Sequence, residues 1–332
     1  MSLLSDAAVS RLKHVAAWPE FSSSRYSVLE EIGRGGMGTV YLAIDEELGR
    51  EVAIKIPNGV TSTAVARRLQ LEARVLAGLE HPGIVPIHDA GRLADGRLFY
   101  VMKRVRGRTL REHLQDVPDL TERLRVFERI CEPVAFAHAQ GIIHRDLKPD
   151  NVMVGDFGEV MVMDWGVAKR VSENPRPPEE RDGDVDDGGT NPGTMVGTRG
   201  FMPPEQARGE VAAVDRRADV YSLGAMLFLL LTGDPPGPDL DAARSIWRHR
   251  DVPKPLRAIC AHSLNADPAE RYESVVAVAA DVARYRAGHA VLAYEENVVE
   301  RVARVARTYR TAILLVLAYI IMRAAVALAA GW

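Results

Sequence analysis

Six residues, Asp146 to Asn151, hold three chemically distinct parts: a carboxylate at Asp146, a cation at Lys148 and a side-chain amide at Asn151. In the run His144-Arg145-Asp146-Leu147-Lys148-Pro149-Asp150-Asn151, the carboxylate can accept a proton from a hydroxyl. The lysine can stand beside a terminal phosphate, and the amide oxygen can ligate a divalent cation. Moving a phosphoryl group onto a hydroxyl needs those parts together. A bare His-Arg-Asp would be a chance match; the full octapeptide, with partners upstream and downstream in a matching order, is not.

The upstream partner is Gly33-Arg34-Gly35-Gly36-Met37-Gly38-Thr39-Val40. Apolar residues precede it (Tyr26, Val28, Leu29, Ile32) and follow it (Val40, Tyr41, Leu42, Ala43, Ile44). The pattern predicts strand, glycine turn, strand, with backbone amides free to approach phosphate. A dinucleotide-binding turn shares the G-x-G-x-x-G spacing but must open a helix, whereas this run enters a second turn at Leu48-Gly49-Arg50. Val52-Ala53-Ile54-Lys55 then reads as a strand ending in a lysine. Residues Thr63 to Leu79 carry apolar positions at helical spacing (Leu69, Val75, Leu76, Leu79), with Glu72 among them. Together with the octapeptide, these motifs make residues 26–292 resemble the protein-kinase family, specifically the bacterial serine/threonine kinases of the eukaryotic, or Hanks, type.

The resemblance implies an α+β, two-lobed fold: a β-rich N-lobe over 26–101, a hinge over 102–105 and a helical C-lobe over 106–292. It implies ATP and Mg²⁺, with Mn²⁺ as an alternative, and protein substrates. Nucleotide would be held by Ile32, Gly33, Arg34, Gly35, Gly36, Met37, Gly38, Val40, Ala53, Lys55, Met102 and Met153. Asp146 would be the catalytic base. Lys148 beside it would favour Ser/Thr over Tyr, and Lys55 would hold phosphates with Glu72 as its ion-pair partner. The metal ligands would be Asn151 and an aspartate further on. Asp156-Phe157-Gly158 has the family's literal metal motif but sits between Val152-Met153-Val154 and Val160-Met161-Val162-Met163, where a hairpin turn is expected. Asp164-Trp165-Gly166 follows that hairpin, so Asp164 is the expected ligand, with Trp165 replacing the usual phenylalanine.

Gly197 to Glu205 resembles the end of an activation segment, with Pro203-Pro204-Glu205 where the family has Ala-Pro-Glu. The resemblance implies a buried Glu205–Arg271 ion pair and an Asp219 that braces the catalytic loop. Arg145 would bind a phosphate on the activation segment, at Thr194 or Thr190, while Thr198 would face the substrate. Every catalytic position is filled; a nucleotide-binding pseudokinase scaffold is the alternative, supported only by Trp165 and Pro203.

The chain has 332 residues, 47% hydrophobic, and a net charge of −3, which gives no sign of nucleic-acid binding. Cys131 and Cys260 lie far apart in apolar helical patterns and are expected to be reduced core residues. Residues 1–25 form an extension without a long apolar run, so no cleavable signal is expected. Residues Val171 to Asn191, rich in Pro, Gly, Asp and Glu, are expected to be disordered.

Ile313 to Ala330 is apolar apart from Arg323, and its 18 residues would reach roughly 27 Å as a helix, near the hydrocarbon thickness. Arg301, Arg304, Arg307 and Arg310 precede it, as on a cytoplasmic flank. The expectation is a basic juxtamembrane helix over 293–310 and a membrane span over 311–332. The kinase domain would then be cytoplasmic, on a single-pass tether in the inner (cell) membrane, with Arg323 facing a partner helix, as in a homodimer, or snorkelling toward a polar surface. Because the sequence stops at Trp332, no outer sensor domain is expected. The competing reading is a helix packed on the protein.

Overall fold

The computed structural model describes residues 19, 21, 24–35, 38–56, 77–117, 119–165, 169–170, 200–210, 214–237, 246–247 and 251–329. Contacts divide the chain into two compact units. One comprises 1–111, 136–146 and 150–172; the other comprises 112–135, 147–149 and 173–332.

The first unit is built on a five-stranded sheet. Strands β1 (Tyr26–Gly35), β2 (Gly38–Asp45), β3 (Arg50–Ile56), β4 (Ile87–Arg92) and β5 (Leu98–Lys103) pair antiparallel in the order β1-β2-β3-β5-β4. Alternation along β3 and β5 decides which face each side chain takes. Val52, Ile54 and Ile56 join Tyr41, Phe99 and Val101 in one apolar layer, onto which Phe21 packs edge-on at 5.0 Å from Phe99. Part of the N-terminal extension is thus fixed to the sheet. Ala53, Tyr100 and Met102 point the other way and cluster with Val85, Leu98 and Met161. β5 continues through Met102 and Lys103, so the segment expected as a hinge begins as strand.

The short strand β6 (Arg108–Thr109) pairs with β8 (Val152–Val154), which pairs with β9 (Val160–Val162). A second two-stranded pair joins β7 (Ile142–Ile143) to β10 (Lys169–Arg170).

Helices α1 (Leu110–His113) and α2 (Leu120–Ala139) precede the octapeptide His144–Asn151. In the second unit α3 (Pro204–Ala207) and α4 (Arg217–Thr232) are followed by α5 (Lys254–Ser263) and α6 (Val275–Arg286). α4 is apolar on all sides because it is buried on all sides, from Ala218 to Leu230. It stops at Gly233, whose φ of 81° lets its N–H reach the Leu229 carbonyl. At Gly224 a Cβ would lie 2.4 Å from that of Ser263, so only glycine lets α4 approach α5 this closely. Cys131 and Cys260 are both free and buried.

Asp281 on α6 ties down the chain that follows. It is fully buried and accepts hydrogen bonds from the Tyr272 hydroxyl (2.8 Å), the Leu292 and Ala293 amides (2.9 and 3.0 Å) and Arg284 (3.1 Å). Burial alone would push its carboxyl up, but these donors outweigh it and hold the group below its ordinary value. A carboxylate depressed in this way stabilises the fold above its unfolded pKa and ceases to do so as pH falls through the folded one. Asp281→Asn is therefore expected to lower the melting temperature near neutral pH. The gap to wild type should narrow below about pH 4. Thermal unfolding followed by circular dichroism at both pH values checks this; a gap of constant size would show that charge is not the source.

Two helices end the described chain, α7 (Val298–Thr308) and α8 (Arg310–Ala329). Asn297 and Glu300 close a reciprocal capping box at the start of α7. Among the described residues no single helix is long and apolar enough to cross a membrane, but α7 and residues 310–326 of α8, bent by 77°, pass that test together. Arg304, expected at the lipid surface with its three neighbours, is committed to Glu296 at 2.7 Å and to the Gly288 carbonyl at 3.2 Å.

Candidate functional site

Lys55 reaches the site because of its register. On β3 it lies opposite Val40 of β2 and Tyr100 of β5, in the middle of the sheet, and shares a face with Ala53. It is only 6% exposed, with its ammonium 5.8 Å from the centre of the Tyr100 ring. A buried ammonium needs a counter-charge. Among the described residues that partner is Asp164, whose Oδ1 accepts from Nζ at 2.5 Å. Glu72, the partner implied by the resemblance, lies outside the described residues, as do Gly36, Met37, Thr190, Thr194 and Thr198.

Asp156, Phe157 and Gly158 form the tight turn between β8 and β9. The Gly158 amide donates to the Gly155 carbonyl, and Phe157 is 97% exposed. Asp164 follows the hairpin directly. Its φ is 58°, and Arg145 has φ 70°; they are the only non-glycine residues with positive φ among those described. Such conformations cost about 1–3 kcal/mol each and collect where a site fixes the backbone.

The octapeptide and the segment bearing Asp164 are held together by His144, which is fully buried. Its Nδ1 accepts from the Asp146 amide at 3.2 Å, which leaves Nε2–H to donate to the Met163 carbonyl at 2.9 Å. The ring rests against Trp165, 4.6 Å between centres, and the indole N–H donates to the Val162 carbonyl. Met163 also donates its amide to the Asn151 carbonyl. The sequence marks His144 only as the start of the motif; its bridging role comes from contacts 19 residues apart.

Asn151 is 7% exposed, and its amide nitrogen donates to the Asp146 carbonyl (2.7 Å) and to Asp146 Oδ2 (3.1 Å). With both amide hydrogens placed there, Oδ1 is the atom left to meet a cation. Asp150, outside that group, pairs with Arg111 at 3.3 Å.

Around Lys55, the expected nucleotide residues Val40, Ala53 and Met102 fall in one apolar cluster with Met161 and Met163, which sequence reasoning did not single out. Met153 is half-buried and directly opposite Met161 in the hairpin, so the two share a face. Gly33 and Gly35 pair with Val40 and Gly38 where β1 turns into β2, Ile32 is 46% exposed, and Arg34 is held by Glu31 at 2.6 Å. Lys148 stands in the loop two residues past Asp146.

In the helical unit, Arg271 donates to both oxygens of Glu205 at 2.8 Å, with both side chains essentially buried. Asp219 is fully buried in the first turn of α4.

Comparison with known sequences decides what this assembly is. The protein kinase domain family matches residues 26–281. The chain belongs to the protein kinase family. Among its relatives are serine/threonine-protein kinase PknD of Chlamydia caviae, 36% identical over 296 residues, and PknB of Mycolicibacterium smegmatis, 36% identical over 291 residues. The matches cover 80% and 82% of this chain but 31% and 44% of the relatives. PknD of Chlamydia abortus is 34% identical, again with 31% of its length covered. The chain thus spans less than half the length of these curated relatives. Its kinase fold is a five-stranded N-lobe sheet with a helical C-lobe.

Kinases of this family use ATP with a divalent cation. Among the described residues no group of three or more His, Cys, Asp or Glu is placed to hold a metal. Asn151 and Asp164 nonetheless fit Mg²⁺, which keeps several waters and takes one or two protein oxygens plus substrate phosphates rather than a full protein cage.

Proposed function

We propose that the chain is an ATP-dependent serine/threonine protein kinase. The observation that carries this reading is the joining of two segments through His144: one bearing Asp146 and Asn151, the other bearing Asp164 in contact with Lys55. Asp146 is the base: it accepts the proton of the substrate hydroxyl as that oxygen bonds to the γ-phosphorus and the bond to the leaving ADP oxygen breaks. Asn151, by donating to Oδ2 of Asp146, fixes the carboxylate's direction. Lys55 holds phosphate oxygens, and Lys148 stands by the transferred group. Asn151 and Asp164 would hold Mg²⁺, which when bound neutralises phosphate charge. Positioning and charge account for most of the rate. Autophosphorylation at Thr194, with Thr190, is the regulation we associate with Arg145, since a phosphate can order a loop against arginine.

The C-terminal helix is read as a membrane tether with the kinase on the cytoplasmic side. In support, the side chains of α8 over residues 310–326 are exposed all round, its large apolar ones from 40% at Ile313 to 67% at Leu315 and Ile321, an apolar surface too large to leave in water. Arg323, the charge inside its apolar run, favours a second helix beside it.

Incubation of the full chain with radiolabelled ATP, Mg²⁺ and a generic basic protein is expected to place label on serine and threonine, and on the kinase itself at the residues mass spectrometry identifies. Nucleotide binding with no transfer would instead mean a scaffold, and transfer only to small molecules would remove the protein-kinase reading.

A further inference from the structure

α7 is amphipathic, but its faces are turned the unusual way. Its charged side is docked on the helical unit. Lys254 pairs with Glu300 at 2.7 Å, and the Tyr294 hydroxyl bonds both Glu300 oxygens. Arg304 reaches Glu296 and the Gly288 carbonyl, to which Thr308 also donates at 3.2 Å. The apolar side faces outward. Val298, Val302, Val305 and Tyr309 follow one another at i, i+4, i+7 and i+11, with Val299 alongside; their exposures are 77%, 63%, 41%, 57% and 76%. A helix on a water-soluble surface normally buries such a stripe against its own domain.

We propose that this outward stripe of α7 lies in the headgroup–acyl boundary of a lipid bilayer, parallel to the membrane plane, and so holds the helical unit against the membrane surface. The inference rests on the reading of α8 as the tether. Three observations favour lipid as the occupant. The stripe runs without a gap into α8, which over residues 313–326 is apolar apart from Arg323 and exposed on every side. The bend between the two helices, 77°, is the turn a helix makes in passing from lying on a bilayer to entering it. At the bend stand Tyr309 and Arg310, an aromatic ring and a cation of the kind that settle at headgroup depth. Arg301, exposed one turn from Val305, can extend its stem beside the stripe and place its charge among phosphates. The ion pairs on the docked side mean that α7 need not leave the protein to reach lipid.

The test uses the full chain in vesicles of phosphatidylcholine and phosphatidylglycerol. A single cysteine carries a fluorophore at Val302→Cys, Val305→Cys, Ala303→Cys or Leu317→Cys. Cys131 and Cys260 are both buried, so the introduced thiol is the one labelled. Ala303 is the control: it lines a cleft of about 580 Å³ on the docked side, with Leu120, Tyr285 and Glu296. A quencher attached to lipid near the headgroup–acyl boundary is expected to remove most of the fluorescence at 302 and 305 and to leave that at 303 unchanged; a quencher deep in the acyl chains should act at 317. Quenching at 317 without quenching at 302 and 305 would overturn the inference and leave the tether standing. No quenching anywhere would remove the tether and the inference with it. Quenching at 303 as well would mean that α7 leaves the domain, and 302 protected from the lipid quencher until the chain is diluted with excess lipid would mean that a second copy covers the stripe. Either result overturns the proposal.

Discussion

Asp164→Asn is expected to reduce phosphoryl transfer about 10³-fold, while Asp156→Asn leaves the rate within about twofold of wild type. The larger figure corresponds to about 4 kcal/mol, the scale on which a ligated cation stabilises transition-state charge. Asn carries one oxygen and no charge, so it weakens the hold on Mg²⁺ and removes the counter-ion that meets Lys55 at 2.5 Å. The substitution suits the backbone, because Asn tolerates the left-handed conformation at φ 58° better than most residues. Loss of activity with an unchanged melting temperature would therefore be chemical rather than a failure to fold. Asp156 sits in the β8–β9 turn beside an almost fully exposed Phe157. Initial rates with radiolabelled ATP on purified variants give the comparison. Equal losses at both positions would mean that the metal site has been placed wrongly.

Arg271→Ala is expected to destabilise the protein by about 3–5 kcal/mol, the cost of leaving one charge of a buried pair uncompensated. The melting temperature would fall on the order of 10 °C. The Glu205–Arg271 pair is almost completely removed from water, so screening does little to it. Arg271 also donates to the carbonyls of Asn265, Ala266 and Arg217 and lies over the Tyr221 ring at 5.0 Å. Those three carbonyls would be left without that donor. Replacing both partners, Glu205→Leu with Arg271→Met, is expected to cost less than the sum of the single losses, because no lone charge remains buried. The carbonyls keep that variant below wild type. Thermal and urea unfolding of wild type, Glu205→Leu, Arg271→Met and the double variant measure the cycle, with Arg271→Ala unfolded beside them. A loss below about 1 kcal/mol for Arg271→Ala would show that the pair adds little, as at a surface.

The hairpin at 152–162 and the strands of the small sheet were legible because their signals are local. Alternation has period two, and glycine marks the turns. The order of the motifs was equally plain, since the chemistry needs fixed residue types at short spacings. His144 as the brace between the two site segments was not legible, because its partners Met163 and Trp165 lie far along the chain and are joined only by packing. Met161 was missed for a similar reason: one apolar residue in a strand looks like another until the register sets its face.

The sequence by itself determined the family, the strand–glycine–strand entry, the residue types of the site and the existence of two C-terminal helices, one basic and one apolar. Tertiary structure alone decided that Lys55 meets Asp164, 109 residues away, because that contact depends on where a sheet and a loop are brought together. It alone decided the orientation of α7 as well. A 3.6-residue period shows that a helix has two unlike faces but carries no information about which face is docked. That was set by Lys254, 46 residues before Glu300, and by Glu296 and the Gly288 carbonyl, which take the charged side and turn the valines outward.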